Sequence, residues 1–245
     1  MIDPVAAGFR PDLFAGQTVF VTGGTSGIGA ETARFLHGLG ANVVAVGLAP
    51  DDAPITPGER MAILGIDVTD RAALEGAIRS LPRLDHLVLC AGVSLNAAEM
   101  EVEGFRRVIE INLVSAMTAA MAAAPALAAT HGSIVTVASM YAFFGGGERP
   151  AYAASKGGIV QLTKSLAQAF AGDGVRVNSV APGWIETPLA RNLDPETKAR
   201  IKLRIPAARW GESGEVASAI AFLCSRAAAY VTGAVLPVDG GYLIA

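Results

Sequence analysis

Short apolar runs alternate with stretches of helical periodicity along nearly the whole chain. Gln17–Val21, Asn42–Val46, Met61–Ile66, Asp85–Cys90, Ser133–Ala138, Val175–Val180 and Val235–Val238 read as strands. Between them, Ala30 to Leu39 has helical character, and Gly38 and Gly40 supply a stop. Asp70 caps a predicted helix through Ser80, and a longer helix covers roughly Glu99 to Ala129, with a bend expected at Pro125. Another runs through Ala171 and carries Tyr152 and Lys156, and Ser213 is the expected cap of the last main helix. The segment 185–210 is Pro-punctuated, with short helical pieces, and residues 1–15 read as an N-terminal arm. Several strands are continuous apolar runs rather than alternating ones. That is the mark of a parallel sheet covered on both faces, and right-handed crossovers make it doubly wound. No linker or internal repeat divides residues 1–245, so the pattern predicts one α/β domain with a mainly parallel seven-stranded sheet.

Composition narrows the partners. Hydrophobic residues make up 52% of the 245 and charged residues 17%, enough for a sizeable core and too apolar for disorder. A formal net charge of −3 gives no electrostatic reason to expect nucleic acid or an anionic membrane. Cys90 and Cys224 are read as small buried hydrophobes of a reducing compartment, and the N-terminus lacks the pattern of a signal peptide, so a cytoplasmic protein is expected. The uncharged stretch 111–130 is long enough to span a bilayer, but it is mostly Ala and interrupted by Asn112, Ser115, Thr118 and Pro125. It is read as a helix packed on both sides. His37, His86 and His131 are scattered and read as structural, and no metal set is apparent.

Two stretches carry chemistry. Gly23, Gly27 and Gly29 fall between the first strand and the first helix. Glycine lets the backbone approach a phosphate closely, and a helix N-terminus offers it free N–H groups and partial positive charge. The second stretch is 139–156. Tyr152 and Lys156 stand at i and i+4, one above the other on a helix face. An unperturbed Tyr has a pKa of about 10, and a nearby ammonium is expected to lower it. A drop of ~3 units corresponds to ~4 kcal/mol and gives a proton donor and acceptor for work near pH 7. Ser139 ends an apolar strand, where a hydroxyl reaches the crevice above a sheet.

In their order along the chain, these features resemble the short-chain dehydrogenase/reductases. The likeness runs from Gln17 to Tyr242 and rests on the Thr22–Gly29 turn, Ala91-Gly92, Asn112, Ser139 with Tyr152-x-x-x-Lys156, Pro182-Gly183, and the tail Val238-Asp239-Gly240-Gly241-Tyr242. The resemblance implies a Rossmann-type fold and a nicotinamide cofactor that supplies the hydride. It implies that Tyr152 exchanges a proton with the substrate oxygen and that Ser139 holds that oxygen. It further implies that Lys156 lowers the Tyr152 pKa and bonds the nicotinamide ribose, and that Asn112 holds a water linking Lys156 to solvent. On the cofactor side it implies Gly23, Thr25, Ser26, Gly27, Ile28, Gly29, Leu48, Cys90, Ala91, Gly92, Pro182, Gly183, Ile185 and Thr187. Asp67 and Val68 match positions that contact adenine.

Two departures bear on the cofactor. Cys90 stands where many members have Asn. Leu48 and Ser26 offer no positive charge to a 2′-phosphate, and Asp51 and Asp52 lie close by in sequence. NAD is therefore expected over NADP. For the substrate, Ser139, Met140, Phe144, Tyr152, Trp184 and Leu189 are the candidate contacts, with 184–210 as a lid. Their character predicts an uncharged, fairly hydrophobic secondary alcohol or ketone. Glu148 and Arg149 are read as a solvated loop pair, and Arg191, Arg200, Arg204 and Arg209 as a solvated face. Family members are usually dimers or tetramers, and the Ala-rich helix and apolar C-terminus suggest a homotetramer. An NADP-dependent 3-oxoacyl-type reductase and a non-catalytic dinucleotide sensor remain as alternatives.

Overall fold

All seven predicted strands join one parallel sheet in the computed structural model, which describes residues 2–4, 7–48, 51, 53–188 and 193–245. The strands are β1 (Thr18–Thr22), β2 (Asn42–Gly47), β3 (Met61–Gly65), β4 (His86–Leu89), β5 (Ser133–Val137), β6 (Arg176–Pro182) and, after two short ones, β9 (Val235–Val238). Their order across the sheet is β3-β2-β1-β4-β5-β6-β9. The winding reverses between β1 and β4, where Thr22 lies beside Leu89. In doubly wound sheets that reversal opens a crevice at the carboxyl ends of the strands, where ligands bind. The two short strands, β7 (Ile185–Glu186) and β8 (Gly211–Glu212), pair with each other within the 184–212 segment.

Helices cover both faces, which is why the strands read as unbroken apolar runs. On one face α1 (Gly27–Gly38) and α7 (Ser213–Cys224) bury Phe35, Leu36 and Ile220 against the sheet. On the other, α2 (Arg71–Arg79), α4 (Ser115–Thr130) and α5 (Pro150–Phe170) bury Leu74, Ile78, Leu127 and Ile159.

The structure departs from the sequence reading in four places. The helix expected over 99–129 is broken. A 3-10 turn at Asn96–Met100 precedes α3 (Val102–Ile109), and a π turn at Glu110–Val114 leads into α4. The π turn carries Asn112, and α4 continues through Pro125 to Thr130. Next, α4 is packed on one side only. Ala116, Ala119, Ala120, Ala123 and Leu127 are buried, while Val114, Met117 and Met121 are exposed. The stretch Val102–Thr130 is long and apolar enough to cross a membrane, but its alanine face is committed to the sheet. Third, Ser213 does not cap α7. Glu212 does, in a capping box with Glu215, while the Ser213 hydroxyl donates to the Glu186 carbonyl. Last, the N-terminal segment is no loose arm where it is described. Phe14 is buried in the core, Phe9 packs edge-on against Phe35, and Arg34 donates to the Ile2 carbonyl.

In the 185–210 segment, α6 (Pro195–Leu203) is capped by Asp194, which accepts from the Thr197 N–H. His86 is buried between Ser133 and Gln17, and burial pushes its pKa down to about 4.

Candidate active site

The turn between β1 and α1 is drawn tight by two close approaches. Gly23 has φ +64°, and a Cβ there would lie 2.7 Å from the Ala91 nitrogen. A Cβ on Gly29 would collide with the Gly23 carbonyl oxygen. The first turn of α1 has no acidic residue and no side-chain cap from Ser26. Its N–H groups are therefore left to a ligand. They open onto a cavity of about 710 Å³, lined on this side by Gly23, Ser26, Gly27, Ile28 and Gly29. A dinucleotide diphosphate fits this glycine cradle.

Other predicted cofactor residues surround the cradle. Cys90 and Gly92 line the cavity, and burial pushes the Cys90 thiol up to about 12, so it stays protonated. Ala91 donates its N–H to Thr22 Oγ1 rather than facing the cavity. Thr25 is buried over Gly47, and Val68 is buried in the core. Leu48, at the end of β2, is 74% exposed. Asp67 accepts from the N–H and hydroxyl of Thr69 and pairs with Arg107 at 3.5 Å. The Thr69 bonds above all hold its carboxyl below the usual range. None of Thr25, Leu48, Asp67, Val68 and Ala91 is on the cavity wall, whereas Pro182, Gly183, Ile185 and Thr187 are. Asp52 lies outside the described residues.

The opposite wall holds the candidate chemistry. Ser139 follows β5, and its Oγ accepts from the Tyr141 N–H at 3.2 Å. Tyr152 and Lys156 lie one turn apart on α5, which starts with Pro150. Ser139, Tyr152 and Lys156 all line the cavity. Lys156 donates to the Val137 carbonyl at 2.7 Å, and its Nζ is 5.6 Å from the Tyr152 ring centre. Burial acts first on both groups, pushing Lys156 down to about 8 and Tyr152 above its ordinary value. A hydrogen bond with Ser139 pulls Tyr152 partly back. Desolvation is the largest influence on Tyr152 in this structure, and it acts against the lowering expected from Lys156.

Asn112 is buried behind this wall. Its Oδ1 accepts from Val93 N–H, and its Nδ2 donates to the Val93 carbonyl and Ser155 Oγ. The side chain thus clamps the π turn to the loop after β4 and to α5. Its Oδ1 and the Lys156 Nζ flank the same side of Gly92.

A second buried clamp was not legible in the sequence. Glu99 is 1% exposed, and its Oε2 accepts from the Tyr152 N–H at 2.8 Å. Its Oε1 accepts from Ser94 Oγ and Leu95 N–H, both at 2.8 Å. A carboxylate there satisfies an orphan donor of the first turn of α5 and complements its dipole, which Arg149 does not do. No local pattern links residues 53 apart.

On the substrate side, Met140 and Trp184 line the cavity as expected. Phe144 does not. It packs against Tyr141 and Tyr242, with ring centres 5.1 and 6.1 Å away. Leu189 and Arg191 lie outside the described residues. Glu148 and Arg149, read as a solvated pair, both line the cavity and make no ion pair with each other among the described residues. Tyr141, Ser94, Asn96, Pro188 and Leu193 also line it and were not singled out by sequence. Tyr141 had a signal, since it falls two residues after Ser139.

A glycine cradle at the switch point of a doubly wound sheet, facing a Ser, a Tyr and a Lys across one cavity, defines an oxidoreductase that uses a nicotinamide dinucleotide. The chain belongs to the short-chain dehydrogenase/reductase family and acts on alcohol or ketone groups. The family model described as enoyl-(acyl carrier protein) reductase matches residues 23–243. The chain is 41% identical to cis-4-hydroxycyclohexanecarboxylate dehydrogenase of Sinomonas cyclohexanicum, over 94% of this chain and 98% of that one. It is 35% identical to a 3-oxoacyl-[acyl-carrier-protein] reductase of Thermotoga maritima, over 94% and 98%. Among solved structures, one described provisionally as a 2-deoxy-D-gluconate 3-dehydrogenase of Agrobacterium tumefaciens, with bound NADP, superposes with TM-score 0.89. It is 37% identical, over 97% of this chain and all of that one.

Proposed function

We propose that this protein is a cytoplasmic, NAD-preferring dehydrogenase that interconverts a secondary alcohol and its ketone. The observation that carries the reading is that Ser139, Tyr152 and Lys156 share one cavity with the free N-terminus of α1. The nicotinamide ring accepts or supplies the hydride when bound, and in its oxidised form brings a positive charge. Ser139 donates a hydrogen bond to the substrate oxygen, and Tyr152 takes or returns its proton. Lys156 holds the nicotinamide ribose, and Asn112 positions the π turn through which a water reaches Lys156. Thr25, Leu48, Ala91, Asp67 and Val68 flank the adenosine half, and Thr187 takes the carboxamide. The 184–210 segment covers the substrate, with Trp184 against it.

Preference for NAD is supported by the end of β2. Leu48, which carries no charge, is the exposed residue there. The test is titration of the purified protein with NADH and NADPH, followed by energy transfer from tryptophan. NADH is expected to bind at least ~10-fold more tightly. Tighter NADPH binding would overturn the preference and favour the second reading, an NADP-linked 3-oxoacyl reductase, for which the Thermotoga relative and the NADP-bound neighbour speak. The complete Ser–Tyr–Lys set speaks against a non-catalytic sensor.

The exposed Val114 of the π turn and Met117 and Met121 of α4 support assembly into a homotetramer through the helical face. Light scattering at micromolar concentration is expected to give four times the chain mass, and a monomer mass refutes it.

A further inference from the structure

Resting on the dehydrogenase reading above, we propose that Arg149 makes the substrate pocket a receptor for a carboxylate, so that the substrate is a hydroxy or oxo acid rather than an uncharged alcohol. Arg149 lines the same cavity as Ser139 and Tyr152. It is the cap residue of α5, three residues before Tyr152, so both side chains leave the same end of one helix. It is half-buried, and its Cζ lies 5.8 Å from the Tyr141 ring centre. That ring in turn stands edge-on to Tyr152, 5.9 Å away. The guanidinium is therefore held beside the candidate acid–base group by a ring that touches both.

Among the described residues, no ion pair or side-chain hydrogen bond occupies this guanidinium. Among the described residues, other arginines of the 184–212 segment are placed differently. Arg209 is paired with Glu215 and Arg200 donates to Thr197 Oγ1, while Arg204, which lies over the Tyr242 ring, is not on the cavity wall. Lys156 is taken by the Val137 carbonyl. A half-desolvated guanidinium with five N–H donors and no acceptor is costly unless an anion completes it, and its planar fork matches a carboxylate through two parallel hydrogen bonds. Glu148 stands next to it, exposed on the cavity rim. That second charge favours a monoanion over the dianion of a phosphate monoester. Met140, Trp184 and Leu193 give the wall an apolar part, which suits a hydrocarbon ring or short chain between the carboxylate and the reacting carbon.

The test uses the protein loaded with whichever reduced cofactor it binds. Calorimetry measures cyclohexanecarboxylate and its methyl ester on wild type, Arg149→Met and Arg149→Lys, and 3-oxocyclohexanecarboxylate and its ester are assayed for reduction. The acid is expected to bind wild type at least ~10-fold more tightly than the ester. Arg149→Met is expected to erase that preference, and Arg149→Lys to keep part of it, since a point charge replaces the fork. Equal binding of acid and ester by wild type overturns the proposal. So does equal weakening of both by Arg149→Met, which would mark a packing role. The Lys variant guards against a loss that merely reflects misfolding. Carboxylate preference with no ketone reduction would sink the dehydrogenase reading and leave the receptor standing. Ketone reduction without an acid preference would do the reverse.

Discussion

Tyr152→Phe is expected to lower kcat by on the order of 10³-fold or more while dinucleotide affinity stays within about threefold. The change removes one oxygen and leaves the ring in its packing against Tyr141. Tyr141 also lines this cavity, but Ser139 meets the two tyrosines differently. Ser139 bonds the Tyr152 hydroxyl but accepts from the backbone N–H of Tyr141. Folding should be little affected, because the N–H that Glu99 holds is a backbone group and survives the substitution. Steady-state kinetics with cofactor titration in parallel separates the two effects. Turnover within about tenfold of wild type would show that some other group carries the proton. Loss of cofactor binding together with turnover would instead assign Tyr152 a structural part.

Gly29→Ala is expected to weaken binding of NADH and NADPH alike by at least ~100-fold, whichever the wild type prefers. The new methyl would meet the Gly23 carbonyl oxygen and lie 3.2 Å from the Cys90 Cβ. The oxygen belongs to a residue at positive φ that is itself pressed against Ala91, so neither side of the turn can yield by rotating a bond. Relief requires the turn to open, which moves the first N–H groups of α1 away from a diphosphate. A stability loss of about 1–3 kcal/mol should accompany it, as overpacking does elsewhere. Gly145→Ala is the control, since a Cβ there meets nothing within 4 Å. Fluorescence titration and thermal melting of both variants provide the measurement. Dinucleotide binding by Gly29→Ala at wild-type strength would remove the cradle from the site.

The seven strands and their parallel arrangement were legible because a strand buried on both faces must be apolar at successive positions, and that constraint is written locally. The glycine turn and the Tyr152–Lys156 pair were legible for the same reason. A tight βα turn and an i,i+4 pair are defined within a few residues of chain. Ser139 was legible from its place at the end of β5.

Other features depend on what lies far away in sequence. The π turn at Glu110–Val114 hides in an alanine-rich helix, since adding one residue to a turn hardly alters an apolar pattern without polar phase marks. Glu99 is an ordinary acidic residue until folding brings it against the Tyr152 N–H and seals it from water. Arg149 read as a surface charge beside Glu148 in a glycine-rich loop; only folding brings it over the Tyr141 ring and onto the cavity wall. The electrostatics of the Tyr152–Lys156 pair followed the same rule. Spacing places Lys156 near Tyr152, but depth of burial decides that desolvation raises one pKa and lowers the other. The sequence by itself determined the class of fold, the glycine turn and the candidate reacting side chains, because periodicity and motif spacing are short-range. Tertiary structure alone decided which charges are buried, which of them have partners and which face the pocket, because desolvation and hydrogen-bond pairing arise between segments that meet only when the chain has folded.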